Sequence, residues 1–304
     1  MPKRAEQPAT VDLAALLPSW ELALRAERKS AETVKLYVGG VRHFLAWCAD
    51  QNHPAAFDRA TVAAFVADLL EAGKEAATAR AYQLSCRRFA AWLVEEGELD
   101  ADPLAGIKPP KLDAKVVPVL SDGQLKALIK ACDGKAFRDR RDEALVRLLA
   151  ETGIRAGEAI ALHTTDVDLA TGTALVRRGK GGKGRLVPFG PQTGRAIDRY
   201  LRARRTHRLA DTPTLWLGDG GRGLSYDGLY AALRGRAEAA GIKGFHPHVL
   251  RHTAASRWLA AGGSEGGLMA VAGWARREMM DRYVQATRSE RAADEARRLG
   301  LGDL

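Results

Sequence analysis

Four short stretches gather the side chains best able to do chemistry on a phosphate. In TGIRAGE (152–158), Arg155 and Glu158 stand one helical turn apart behind Gly153, which permits a tight turn. In RRGKGGKGRLVPF (177–189), the glycines let a hairpin tip bring Lys180 or Lys183 close to a backbone. In HPHVLRHTAASRWL (246–259), Pro247 suits the first helical position, which puts His248 in the first turn and Arg251 one turn on. Both can then face an anion near the positive helix end. In AGWARREMMDRYVQ (272–285), Tyr283 stands among arginines and methionines near the end of the chain.

Each stretch has a plainer reading. Arg155 and Glu158 alone make a surface salt bridge, GKGGKG alone is a flexible basic hairpin, and Tyr283 alone is a half-buried helix residue with its hydroxyl at the rim. Two enzymatic alternatives fail on their patterns. A nucleotide-binding P-loop needs GxxxxGK[ST], but Gly184 is followed by Arg185 and Leu186. A zinc site at His246, His248 and His252 lacks HExxH and a nearby carboxylate cluster.

The elements that must position these groups follow from pattern and composition. The chain has 304 residues, enough for two domains with their own cores, and its 46% hydrophobic content suits a soluble globular protein. Pro103, Pro109, Pro110 and Pro118 forbid a continuous helix, so the boundary falls there: an N-terminal domain over 1–108, a linker over 109–120 and a second domain over 121–304. Before the linker, apolar residues recur at helical spacing in four segments, around 11–25, 33–48, 60–72 and 77–96. After it, Ser121 and Gln124 fit a capping box, and RRDEALVRLLAETG reads as a helix ending at Gly153. TALVRR (173–178) and RLVPF (185–189) read as strands flanking the Gly-rich turn, followed by helices at 191–208, 225–240, 247–261 and 276–287. The fold class is mainly α, with a small β-hairpin or sheet in the second domain.

Charge and cysteines bound the setting. The net charge of +10 invites a polyanionic partner, with a basic solvated surface as the alternative. Residues 1–115 carry 15 basic and 16 acidic side chains, and the remainder 32 and 21, so all of the surplus sits in the second part. In the first part, Lys35 with Arg42 and Arg80 with Arg87 lie seven residues apart, each pair on one helix side, suited to phosphate contact or to plain solvation. The three cysteines are widely spaced and without a CxxC pair, and no segment reads as a signal peptide or membrane span, which points to a reducing cytoplasm.

The order TGxRxxE, then Lys in a Gly-rich hairpin, then HxxRH, then GW followed by Tyr resembles the tyrosine recombinase (phage integrase) family. AETVKLYVGGVRHFLAW and ATARAYQLSCRRFAAWLVEEG resemble that family's helical core-binding domain, and residues 121–290 its catalytic domain. The resemblance implies that Tyr283 is the nucleophile, Arg155 and Arg251 the phosphate-binding arginines, Lys180 the catalytic lysine, and His248 the histidine of HxxR. It makes Glu158 the acidic brace of the first arginine. Trp274 stands where many relatives carry His and others Trp, which suits packing and an indole N–H donor rather than proton transfer.

The chemistry agrees with the resemblance. Attack on a phosphodiester builds negative charge on its nonbridging oxygens, which two bidentate guanidiniums can neutralise with neither metal nor cofactor. A phenol of pKa about 10 needs help to ionise; His248 can accept its proton or position the phosphate, and Lys180 can protonate the leaving 5′-hydroxyl. The expected activity is site-specific cleavage and rejoining of duplex DNA through a 3′-phosphotyrosine, by a homotetramer on paired sites, with accessory proteins biasing direction. The rivals are a DNA-relaxing type IB topoisomerase and a non-cleaving DNA-binding protein on the same fold.

Overall fold

The computed structural model describes residues 11–112, 118–177, 184–218, 221, 223–274, 277 and 280. Two compact units divide the chain, Met1–Lys115 and Val116–Leu304.

Four helices build the first unit: α1 (Leu13–Ala26), α2 (Ala31–Asp50), α3 (Arg59–Glu71) and α4 (Ala76–Glu95). Their starts are set by side-chain caps. Asp12 accepts from the Ala14 and Ala15 amides at 3.1 Å each, Ser30 from Thr33 at 3.2 Å and Asp58 from Thr61 at 2.9 Å, satisfying donors a helix otherwise leaves orphaned. The apolar faces meet in an aromatic core in which Trp20 stacks on Phe89 at 4.8 Å and Phe44 meets Phe65 edge-on at 5.5 Å.

Helices α2 and α4 approach so closely at Gly40 that a Cβ there would lie 2.4 Å from Ser85 Oγ and 2.6 Å from Ser85 Cβ. Ser85 is fully buried and donates to the Ala81 carbonyl at 3.0 Å, so it has no room to yield. Gly39, one residue earlier, has nothing within 4 Å of its own Cβ position. Neighbouring glycines in one helix should therefore respond with opposite sign. Gly39→Ala is expected to stabilise by up to about 1 kcal/mol through helix propensity, whereas Gly40→Ala should cost about 1–3 kcal/mol through overpacking. Urea unfolding of the two variants checks this, and equal shifts for both would show that the α2–α4 contact tolerates a methyl group.

In the second unit, α5 (Asp122–Lys130) opens with the capping box of Ser121 and Gln124, and α6 (Phe137–Thr152) closes at Gly153 in the left-handed region, φ 63°. A short α7 (Ala156–Ile160) and a 3-10 turn lead into an antiparallel sheet of β1 (Val167–Asp168), β2 (Thr173–Val176) and β3 (Arg185–Pro188), in that spatial order. Ala174 pairs with Val187 and Leu175 with Leu186. Then come α8 (Pro191–Arg204), α9 (Tyr226–Ala239), α10 (Pro247–Ala260) and α11 (Glu265–Ala272). The core lies around α6, whose Leu145 and Leu148 are fully buried, with Tyr200 of α8 and Trp216 stacked at 5.1 Å.

The mainly helical architecture with one small sheet is the one expected, with differences that have physical causes. Helix α8 stops at Arg204 rather than 208, because the buried Arg204 guanidinium donates to the carbonyls of Ala210, Thr212, Thr214 and Leu215 and folds the following chain back over itself. The sheet has a third strand, β1, too short to show a period. Helix α11 went unread because Gly266 and Gly267 weaken its pattern. The expected helix at 276–287 falls outside the described residues apart from 277 and 280. No described helix is long and apolar enough to cross a membrane.

Candidate active site

The site grows from two helix ends that stop in left-handed glycines. Gly153 ends α6 and Gly273 ends α11, with φ 63° and 65°, a conformation that favours glycine. The carbonyls at these ends receive the two arginines. Arg251, 3% exposed on α10, donates from Nη1 to the Gly153 carbonyl at 2.6 Å and from Nη2 to the Ala272 carbonyl at 2.8 Å. Helix C-termini carry partial negative charge, which offsets part of the cost of burying this cation. Its guanidinium also lies over the Trp274 ring, 5.2 Å from the centroid. Trp274 is itself buried, in a cluster with Ala255, Leu259, Leu268, Ala272 and Met280.

Arg155 reaches the same segment. It caps α7, and its Nη2 approaches the Gly273 carbonyl at 3.5 Å while Nη1 donates to Glu158 Oε1 at 2.8 Å. Glu158 also accepts the Arg155 backbone N–H on Oε2 at 2.9 Å, so one carboxylate fixes both the backbone and the head of Arg155. Burial alone would raise the Glu158 carboxyl, but hydrogen bonds from Arg185 and Arg155 outweigh it and hold the group below the usual carboxylate range. Glu158 is 8% exposed, and it stays ionised as a fixed brace.

His248 is exposed in the first turn of α10, after Pro247 at N1, and three residues before Arg251, on the same side of the helix. Its ring meets His252 edge-on at 4.7 Å. Among the described residues, no group of three or more His, Cys, Asp or Glu converges to hold a metal ion.

Residues 272–274 thus bring Arg155, Arg251 and Trp274 together, with Glu158 behind Arg155 and His248 on the Arg251 face. Lys180, Lys183 and Tyr283 lie outside the described residues. The four basic residues of the other unit are on its surface: Lys35, Arg42 and Arg80 exposed, and Arg87 half-buried. Lys35 and Arg42 line one groove with Arg25, His43 and Tyr82, and Glu21 sits 3.9 Å from Arg42. Arg80 and Arg87 are not among its lining residues. Sequence reasoning missed Arg185, the first residue of β3, which binds the Glu158 carboxylate at 2.8 and 3.2 Å; its one signal was a place directly after the Gly-rich turn.

Comparison with known proteins identifies the family of the chain. The model of the phage integrase family matches residues 118–290, and that of its N-terminal SAM-like domain matches residues 17–97. A tyrosine recombinase XerD of Listeria monocytogenes is 30% identical over 77% of this chain and 80% of its own length. Another XerD, of Ralstonia nicotianae, is 36% identical over 60% of this chain and 61% of its own length. The crystal structure of the XerH site-specific recombinase bound to a palindromic difH substrate shares the fold, with TM-score 0.73 at 19% identity, covering 92% of this chain and 84% of that one. With one family model spanning more than half of its residues and a second matching the helical unit before it, the protein belongs to the phage integrase family, that of the tyrosine recombinases.

Proposed function

We propose that this recombinase cuts and rejoins duplex DNA at specific sites through a 3′-phosphotyrosine formed by Tyr283, without ATP or a metal ion. The observation that carries the proposal is the convergence of Arg155 and Arg251 on the carbonyls of Gly273 and Ala272, shortly before that tyrosine in the chain. Two permanently charged guanidiniums anchored on adjacent carbonyls suit a scissile phosphate whose nonbridging oxygens gain charge in the transition state. Glu158 keeps Arg155 in register. His248, at the positive end of α10, accepts the phenol proton or hydrogen-bonds the phosphate.

Lys180, in the connection between β2 and β3, donates a proton to the leaving 5′-oxygen. The phosphotyrosine conserves the energy of the ester, so a 5′-hydroxyl from another strand can reverse the step. Each tyrosine holds one strand, and exchange between two duplexes involves four strands. Four protomers on paired sites are therefore required, with accessory proteins setting direction. In this reading residues 1–108 form the core-binding domain and 121–304 the catalytic domain, joined by 109–120. Lys35, Arg42, Arg80, Arg87 and Lys183 supply phosphate attraction.

The test is cleavage of a labelled duplex, trapped as a denaturation-resistant adduct, in excess chelator. The adduct should form at an unchanged rate, while affinity falls steeply with salt through counterion release. Loss of cleavage in chelator, restored by magnesium or zinc at constant ionic strength, would put a metal in the mechanism.

A further inference from the structure

We propose that Arg185 is a positioning residue for strand cleavage, which locks the Glu158–Arg155 pair to the end of α11 and so fixes the spacing of the two phosphate-binding arginines. The inference rests on the function proposed above and deepens it.

Arg185 touches both halves of the site. Its Nη2 and Nη1 donate to Glu158 Oε2 and Oε1 at 2.8 and 3.2 Å, a fork on both carboxylate oxygens. Its Nε donates to the Val271 carbonyl at 2.8 Å, one residue before the carbonyl that anchors Arg251. The third contact is steric. A Cβ on Gly273 would lie 2.8 Å from Arg185 Cζ and Nη1, so the glycine that closes α11 also admits this guanidinium.

The chain of contacts therefore runs from Arg155 to Glu158 to Arg185, then to the 271–273 backbone and Arg251. Without Arg185, Glu158 loses the guanidinium fork on both its oxygens, and the α11 end keeps only the long 3.5 Å contact from Arg155 to the Gly273 carbonyl as its tie to α7. A lysine cannot replace it, because one ammonium cannot span two carboxylate oxygens and a carbonyl in fixed directions.

This arrangement predicts a signature that loss of stability alone does not give. Among the described residues, the charged groups that bond Glu158 are Arg155 at the start of α7 and Arg185 on β3. With Arg185 removed, burial weighs more heavily, the Glu158 carboxyl titrates at higher pH, and its protonated form no longer holds Arg155. Single-turnover cleavage is measured from acid to neutral pH for the wild type, Arg185→Ala, Arg185→Lys, Glu158→Gln and the Arg185→Ala/Glu158→Gln double variant.

Arg185→Ala should cleave roughly 10²-fold more slowly at neutral pH, the scale of a small misplacement of catalytic groups. Its acid limb should move up in pH. Arg185→Lys should show the same displacement in smaller measure. In the Glu158→Gln background, where no carboxyl titrates, removal of Arg185 should cost far less and move no limb. Wild-type rate and pH profile in Arg185→Ala, or an equal loss at every pH and in both backgrounds, would overturn the proposal. If Arg185→Ala does not fold, an unmoved acid limb in Arg185→Lys rejects it instead. A wild-type protein that forms no DNA adduct refutes the proposed function, a result distinct from each of these.

Discussion

Tyr283→Phe should leave DNA binding unchanged and abolish the covalent complex. The substitution deletes one hydroxyl and keeps the ring, so only nucleophilicity is lost. In the proposed mechanism the arginines and the histidine stabilise charge or move protons and form no ester. When one member of a catalytic unit is removed, the whole chemical step fails rather than a fraction of it. A labelled nicked duplex, incubated with each protein and resolved under denaturing conditions, reads the outcome directly. The wild type should shift the label, and the Phe variant should not, although both retard the same duplex under native conditions. An adduct formed by Tyr283→Phe would place the nucleophile at another residue.

Much of the frame that carries this chemistry was legible in local sequence, because caps and breakers act within a few residues. Ser121 with Gln124 marks the start of α5, and Gly153 the end of α6, where its backbone must turn left-handed. Pro247 at N1 likewise sets His248 and Arg251 on one side of α10. What stayed hidden depends on partners far along the chain. Arg185 looks like a solvated residue of a basic hairpin until Glu158, 27 positions earlier, meets it. The Gly40–Ser85 contact spans 45 positions, and from the sequence Gly40 reads only as a weak point in a helix. Arg204 belongs in this group too: its burial under four carbonyls ends α8, where periodicity alone would let the helix continue. The motif residues were found by type and order, but the sequence did not tell that Arg251 would be buried between the ends of two helices.

That burial gives the second large effect. Arg251→Lys preserves the charge and should still slow cleavage by about 10²–10³-fold, the cost of losing one transition-state donor. The Gly153 and Ala272 carbonyls accept from two different nitrogens of one planar guanidinium, at 2.6 and 2.8 Å. An ammonium meets at most one of them in good geometry, leaves the other unpaired, and gives up the plane that lies over Trp274. Most of the defect should appear in the cleavage rate and little in affinity, since the phosphate gains its extra charge only in the transition state. A substrate with sulfur in place of the bridging 5′-oxygen separates this role from that of the general acid. Sulfur departs as a thiolate and needs no proton, so Lys180→Ala should recover most of its rate on it. Arg251→Lys should not, because charge still accumulates on the nonbridging oxygens. Equal rescue of both variants would assign Arg251 to the leaving group, and no defect in Arg251→Lys would remove the bidentate fork from the mechanism.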